Sequence, residues 1–323
     1  ELGVPVAARL LDVAEEAAER ALERLADAHL LDTPALGRYR LHDLLRLFAR
    51  ELARQHPQAD RAAALTRALG CYVATTWQTF HLLRPGDPRL ARADNRWATG
   101  GQDFDDEQAA LAWLETERAN LLAAIAQAAT TPGVPPELAI QLTHAGFGFF
   151  WVQGHWDDQV QANGIALEVT RRLGDRTAEA QALNDLGDAQ WRQGRYEQAL
   201  ASQSQSLAIY RELDDRHGQA ASLGNLGIVH RVRGRLELSV ACLQESLALR
   251  RELGDRHIQA HCIRELGMVH ERQGRHQQAL ACLQESLAIY QEIGMLPGQA
   301  DTLRHLGIVS QRQGRHEEAR AHW

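Results

Sequence analysis

The side chains with the richest chemistry in this 323-residue chain are its 15 histidines and four cysteines, candidate zinc ligands and, for cysteine, candidate nucleophiles. Their spacing argues against both uses. His217 and His257, His230 and His270, and His276 and His316 are each 40 residues apart. If one such step is one layer of packed helices, the partners lie about 10 Å apart. That is too far for two ligands that must each approach one zinc ion to roughly 2 Å. His257, His261 and Cys262 are closer in sequence, but His257 falls in a turn and Cys262 on another helix face. Cys71, Cys242, Cys262 and Cys282 show no CxxC spacing, and Cys242 and Cys282 occupy equivalent repeat positions, as small buried apolar side chains do. No GxSxG or HExxH motif occurs, and the carboxylates fall in runs that read as solvated helix faces. No catalytic residue and no metal site is expected.

The cations narrow the chemistry further. All 35 are arginine, against 42 acidic residues, for a net charge of −7. Without a lysine this chain cannot form a Schiff base, use an amine as general base, or supply the lysine of a phosphate-binding P-loop. Its acidity argues against a broad nucleic-acid face. No apolar run approaches the roughly 18 residues of a membrane span, and no secretory signal opens the chain, so a cytoplasmic location is expected. The chain begins at Glu1 and ends at Trp323 inside a helical pattern, as a piece of a longer protein would.

The elements that position these residues repeat. Residues 173–212, 213–252 and 253–292 are three copies of one 40-residue unit, and 293–323 starts a fourth. Each copy has two apolar-periodic segments split by a glycine such as Gly194, which predicts two helices and a tight turn. Gly187, Gly227, Gly267 and Gly307 fall inside the first helix, where glycine costs about 1 kcal/mol relative to alanine. Their recurrence implies close approach of a neighbouring helix. The Leu-Gly pair, the later Gly-Arg, and the small residue at Ala199, Ser239, Ala279 and Ala319 resemble the tetratricopeptide repeat (TPR) in a 40-residue form. A divergent copy at 133–172 contains the aromatic run Gly146 to Trp156 and reads as a capping unit. Trp323 falls where these repeats place an aromatic that locks the second helix.

Residues 1–56 have a different pattern: helices at 5–11 and 15–28, a hairpin signal through Thr33-Pro34-Ala35-Leu36-Gly37, and a helix from His42 to about Arg54. The order predicts a winged helix. Its candidate recognition helix carries Glu15, Glu16, Glu19, Glu23 and Asp27 against Arg20 and Arg24, which phosphates would repel, so no direct DNA contact is expected. Residues 57–132 read as a helical connector interrupted by a Pro-, Gly- and Asp-rich surface linker at 84–106. The predicted fold is therefore all-α: a degenerate winged-helix domain at 1–56, the connector at 57–132, and a TPR α-solenoid over 133–323.

Residues 21–52, ALERLADAHLLDTPALGRYRLHDLLRLFAREL, resemble the winged-helix domain that follows the nucleotide-binding core in NB-ARC STAND ATPases. The resemblance is strongest to the AfsR-like (SARP-type) regulators of actinobacteria, and the helix at 109–129 extends it. In that family a Met-His-Asp motif ends the wing, and its histidine contacts the β-phosphate of bound ADP. Here Leu41-His42-Asp43 stands at those positions, with leucine replacing methionine. The resemblance implies that His42 senses nucleotide and Asp43 fixes the turn; read from the residues alone, the pair could simply cap the following helix. It also implies an upstream NB-ARC domain that binds ADP or ATP, a cofactor this chain alone does not hold, and homo-oligomer formation on activation.

In a TPR solenoid the first helices line one wall. Counting from the Leu-Gly pair places Gln181, Asn184, Asp188 and Trp191 there, then Asn225, Ile228 and Arg231. His261, Arg264, Met268 and Glu271 follow, then Arg304, Ile308 and Gln311. Amides can bond an extended backbone and arginine can pair with a carboxylate bidentately, so a protein or peptide ligand is expected in this groove. The expected function is the sensor arm of an ATP-dependent transcriptional regulator whose DNA-binding domain lies elsewhere. Two alternatives remain at this level: a solenoid that senses a small metabolite or sugar, with Trp151, Trp156 and Trp191 as stacking surfaces, and a stand-alone scaffold.

Overall fold

The computed structural model describes residues 1–97 and 100–322. Trp323, expected to lock the last helix, lies outside the described residues. The chain divides into two compact units, Glu1–Asp175 and Arg176–Trp323.

The first unit opens with β1 (Leu2–Gly3), α1 (Val4–Leu11), α2 (Glu15–Asp27), β2 (Leu31–Ala35), β3 (Arg38–Leu41) and α3 (Asp43–Arg54). The strands form an antiparallel sheet in the order β1-β3-β2, with Leu2 opposite Tyr39 and Leu31 opposite Leu41. Gly37 makes the hairpin turn at φ 67°, a left-handed conformation that glycine adopts without a Cβ penalty. Ala7, Ala8, Ala18, Leu22 and Tyr39 bury one another between α1, α2 and β3. The helix, helix, hairpin, helix order expected of residues 1–56 is present, with β1 as a third strand.

The rest of this unit is a packed group of long helices: α4 (Gln58–Leu83), α5 (Glu107–Thr130), α6 (Glu137–Gln153) and α7 (Trp156–Leu173). Helix α6 packs on α4, α5 and α7. Its aromatic run is the cause: Phe147, Phe149 and Phe150 are buried, and Gly148 lets the Phe80 ring of α4 come so close that a Cβ would sit 3.1 Å from it. The helix pair expected as a first repeat at 133–172 has the helix, glycine turn, helix form, with Gly154 at φ 73°. By packing it belongs to the first compact unit, so the breaks expected at 56 and 132 do not coincide with the division at Asp175.

The segment 84–106, expected to be a surface linker, is held down. It contains 3-10 turns at Pro88–Arg92 and Asn95–Trp97. The Asp94 amide donates to Gln141 Oε1 at 3.1 Å, the Gln102 amide to Thr75 Oγ1 at 3.0 Å, and Gln78 Nε2 to Asp103 Oδ1 at 3.0 Å. The Arg89 guanidinium lies 3.5 Å from the Phe147 ring centre. Proline and glycine break the helical pattern here, yet polar side chains on α4 and α6 satisfy the irregular backbone.

In the second unit the 40-residue period becomes α8 (Arg176–Arg192), α9 (Tyr196–Glu212), α10 (Arg216–Val232), α11 (Leu236–Glu252), α12 (Arg256–Arg272), α13 (His276–Glu292), α14 (Leu296–Arg312) and α15 (His316–His322). From α8 to α14 every helix is 17 residues long and starts 20 residues after the one before. The recurring glycines have the packing reason their cost demands. A Cβ on Gly227 would lie 2.6 Å from Leu243 Cγ, and one on Gly267 would lie 2.9 Å from Leu283 Cγ. The second helix of each repeat pushes its side chain against the bare backbone of the first. Buried serines fix the register: Ser206, Ser246 and Ser286 each donate to the carbonyl of Ala180, Ala220 and Ala260 at 2.8, 2.7 and 2.8 Å.

Candidate functional site

In the first unit, His42 is the backbone N-cap of α3, but its side chain makes no capping hydrogen bond. It turns back to the hairpin, where His42 Nε2 lies 3.1 Å from Asp32 Oδ1 on β2, and Arg40 Nη2 is 3.4 Å from Asp32 Oδ2. Asp43 sits in the first turn, where a carboxylate suits the helix dipole, and pairs with Arg46. More than half of the His42 side chain is exposed.

The helix that follows His42 is amphipathic but has no fully buried side chain. Leu44, Leu47 and Phe48 are 81%, 62% and 61% exposed, an apolar face that isolated surface leucines do not explain. Beside it, Leu45, Phe48 and Leu52 of α3 face Leu22 and Leu25 of α2 across an open apolar cavity of about 800 Å³. Sequence periodicity shows that α3 is amphipathic; it cannot show that, among the described residues, nothing covers Leu44, Leu47 and Phe48.

In the second unit α8 packs on α10, α10 on α12 and α12 on α14, and these four helices carry the residues expected on the wall. Its two ends differ in chemistry. At the α8 end the amides are spent on neighbours: Gln181 Nε2 donates to Asp185 Oδ1 at 2.9 Å, and Asn225 Nδ2 donates to Asn184 Oδ1 at 3.2 Å. Gln181 and Asn184 are both buried. Asp188 accepts from Trp191 Nε1 at 3.1 Å and lies 3.4 Å from Arg192 Nε, while Trp191 stays partly exposed.

At the α12 end the wall is ionic. Arg231 Nε donates to the buried Glu265 at 2.9 Å, and Arg264 reaches Asp301 at 3.2 Å. Glu271 pairs with Arg312, and Arg272 Nη1 donates to the Arg231 carbonyl at 2.8 Å. Arg304 and Gln311 are exposed at the edge. Asp185, Glu265, Arg272, His305 and Arg312 were not among the predicted wall residues. The 40-residue period contains the missing signal, because Asp185, Asn225, Glu265 and His305 form one column beside the column Asn184, Gly224, Arg264 and Arg304.

Burial acts on Glu265 against its charge, but Arg231, His261 and Arg264 outweigh it and hold its carboxyl below the usual range. Burial pushes His261 down to about 4, opposed by Glu265 and assisted by Arg264. His305 is also pushed down to about 4, first by burial and then by Arg304 and Arg264. Both histidines therefore stay neutral in the folded state over a range in which an unfolded histidine takes up a proton. Below a pH of about 6.5 the unfolded chain binds more protons, so stability of this unit is expected to fall on acidification and to level off near 4. Glu265 extends the loss, since the stability it contributes disappears as pH falls through its depressed value. Chemical denaturation across this range should show the slope, and the double variant His261→Gln/His305→Gln should flatten it; an unchanged slope would refute the assignment.

Among the described residues no three His, Cys, Asp or Glu side chains gather as a metal ion would require. His257 packs at a tilt against Tyr290, with ring centres 6.1 Å apart, and Cys262 is buried with its Sγ 3.5 Å from Ser246 Oγ. No helix among the described residues is long and apolar enough to cross a membrane.

A stack of paired 17-residue helices with one wall made from every first helix defines an α-solenoid. The tetratricopeptide repeat family profile matches residues 164–212, 218–292 and 264–322, and the repeats of this chain are tetratricopeptide repeats. The chain is similar to the regulatory protein AfsR of Streptomyces coelicolor, 36% identical over 194 residues, which is 58% of this chain and 19% of that protein. It is 40% identical to AfsR of Streptomyces griseus over 141 residues, 43% of this chain and 14% of that protein. The chain thus spans less than a fifth of the length of these curated relatives. A solved STAND protein with a tetratricopeptide repeat sensor from Pyrococcus horikoshii shares the fold, with a TM-score of 0.52 and 15% identity over 99% of this chain and 53% of that one.

Proposed function

We propose that this chain is the sensing arm of a cytoplasmic, AfsR-like STAND regulator. The wall of α8, α10, α12 and α14 takes a protein or peptide ligand. Residues 1–56 are the winged-helix domain of an NB-ARC module whose nucleotide-binding core lies elsewhere in the whole protein. His42 at the start of α3 is its ADP sensor, and the upstream domain covers the exposed face of that helix. Ligand on the wall changes nucleotide state only if it binds the active conformation better than the inactive one. Exchange of ADP for ATP then leads to self-association and to transcriptional control through a separate DNA-binding domain.

The observation that carries this reading is the bare apolar face of α3, which begins one residue after His42. Replacing Phe48 with glutamate tests it in two settings. In the 323-residue chain the side chain is largely exposed, so Phe48→Glu should leave stability within about 0.5 kcal/mol. In the full-length regulator the same change should expose residues 41–54 to limited proteolysis and weaken nucleotide retention. Equal protease resistance of the two full-length proteins would remove the docking role of α3.

A further inference from the structure

The ionic end of the wall contains a pocket of about 190 Å³ between α12 and α14. Its charged lining is Arg231, Arg272, Arg312 and Glu271, and its apolar lining includes Met268 and Ile308. Such a volume lies below the roughly 300–1,000 Å³ of sites for drug-sized ligands, so it suits one small group. The charges around it do not balance. Arg231 is committed to Glu265 at 2.9 Å, and Arg312 to Glu271. Arg272 donates to a carbonyl oxygen, and among the described residues no carboxylate pairs with it. Three guanidinium groups against two carboxylates leave one positive charge uncompensated. His305, also on the lining, is neutral near pH 7 and does not add to it.

We propose that this pocket binds a single carboxylate carried on a short apolar stem, with Arg272 as its anchor. The inference rests on the wall being a ligand surface and narrows that ligand to an acid. One uncompensated cation matches a monoanion, and Glu271 on the lining repels a second negative charge, which disfavours a phosphate dianion. Met268 and Ile308 take the stem, where removal of apolar area from water adds to the ion pair. The carboxylate could come from the chain end or an acidic side chain of a protein ligand, or from a free short-chain acid.

Calorimetric titration of the 323-residue chain with isovalerate, isovaleramide and inorganic phosphate tests the chemistry. A leucine-ended peptide, as free acid and as amide, distinguishes the source. Each acid should bind about tenfold or more tightly than its amide, and phosphate should bind more weakly than isovalerate. Arg272→Met should remove the preference for acid over amide. Arg211→Met, which breaks an exposed pair with Glu245 at 2.8 Å, should leave it intact. A peptide acid far tighter than isovalerate assigns the carboxylate to a protein ligand, and comparable affinities assign it to a free acid. Acid and amide binding equally, no binding of either acid to the folded chain, or acid preference surviving Arg272→Met would each overturn the proposal. A peptide that binds wild type and Arg272→Met equally would overturn the pocket while leaving the wall reading standing.

Discussion

Leu243→Ala is expected to destabilise the second unit by about 2–5 kcal/mol, the range for a buried leucine that leaves a cavity. Leu243 is 1% exposed and sits where a Cβ on Gly227 would lie 2.6 Å from its Cγ. Gly227→Ala alone should also destabilise, by about 1–3 kcal/mol, because the added methyl has no room. The double variant decides the mechanism. The alanine methyl at 227 enters the space vacated at 243, so the double variant should be more stable than the sum of the two losses, with a coupling of about 0.5–3 kcal/mol. Urea denaturation of the four proteins measures it. Strict additivity would show that the glycine serves some purpose other than admitting the leucine.

The second large effect is expected in the first unit. Glu117 on α5 is 1% exposed and holds Arg38 of β3, accepts from Tyr72 Oη at 2.9 Å and accepts from Asn120 Nδ2 at 2.7 Å. Burial, reinforced by the Glu117 charge, raises the Tyr72 hydroxyl far above its usual range, so it stays a donor. Glu117→Leu leaves the Arg38 charge without this partner and the Tyr72 hydroxyl without its acceptor, while Asn120 keeps its bond to the Glu1 carbonyl, at a cost of about 3–5 kcal/mol. Adding Arg38→Met should recover a large part of that loss, because a buried ion pair replaced on both sides by apolar groups is often near neutral. If the double variant is no more stable than Glu117→Leu, the ion pair does not anchor the hairpin to α5.

These two cases also show what sequence makes legible and what it does not. The 40-residue period foretells the helices because each repeat obeys the same local rules, down to the buried serines that hold its register. The recurring glycines likewise announce a close approach. They cannot name the side chain that fills it, since Gln203 occupies in one repeat the place that Leu243 and Leu283 occupy in the next two. Arg38 and Glu117 are 79 residues apart and belong to no repeat, so no spacing links them. The residues expected on the wall lie on α8, α10, α12 and α14, with two neighbouring columns merged where Asn225 stands beside Asn184, Arg264 and Arg304. That merging hid Glu265, the buried charge around which the ionic end is organised. Segment 84–106 reads as a linker because proline and glycine record only the broken helix, while Gln141, Thr75 and Gln78, which secure it, lie in other helices.

Coverage of α3 is the point at which structure and proposed function meet. An apolar helix face left bare beside His42 is expected of a surface that another domain occupies. The AfsR relatives, several times longer than this chain, have ample length for one. The most direct test is the ADP content of the full-length regulator purified without added nucleotide, measured after denaturation for wild type and His42→Ala. The account predicts bound ADP in the wild type and its loss in the variant, with the stability of the isolated 323-residue chain unchanged because His42 is largely exposed. Equal ADP content in the two proteins, or none in the wild type, would contradict it.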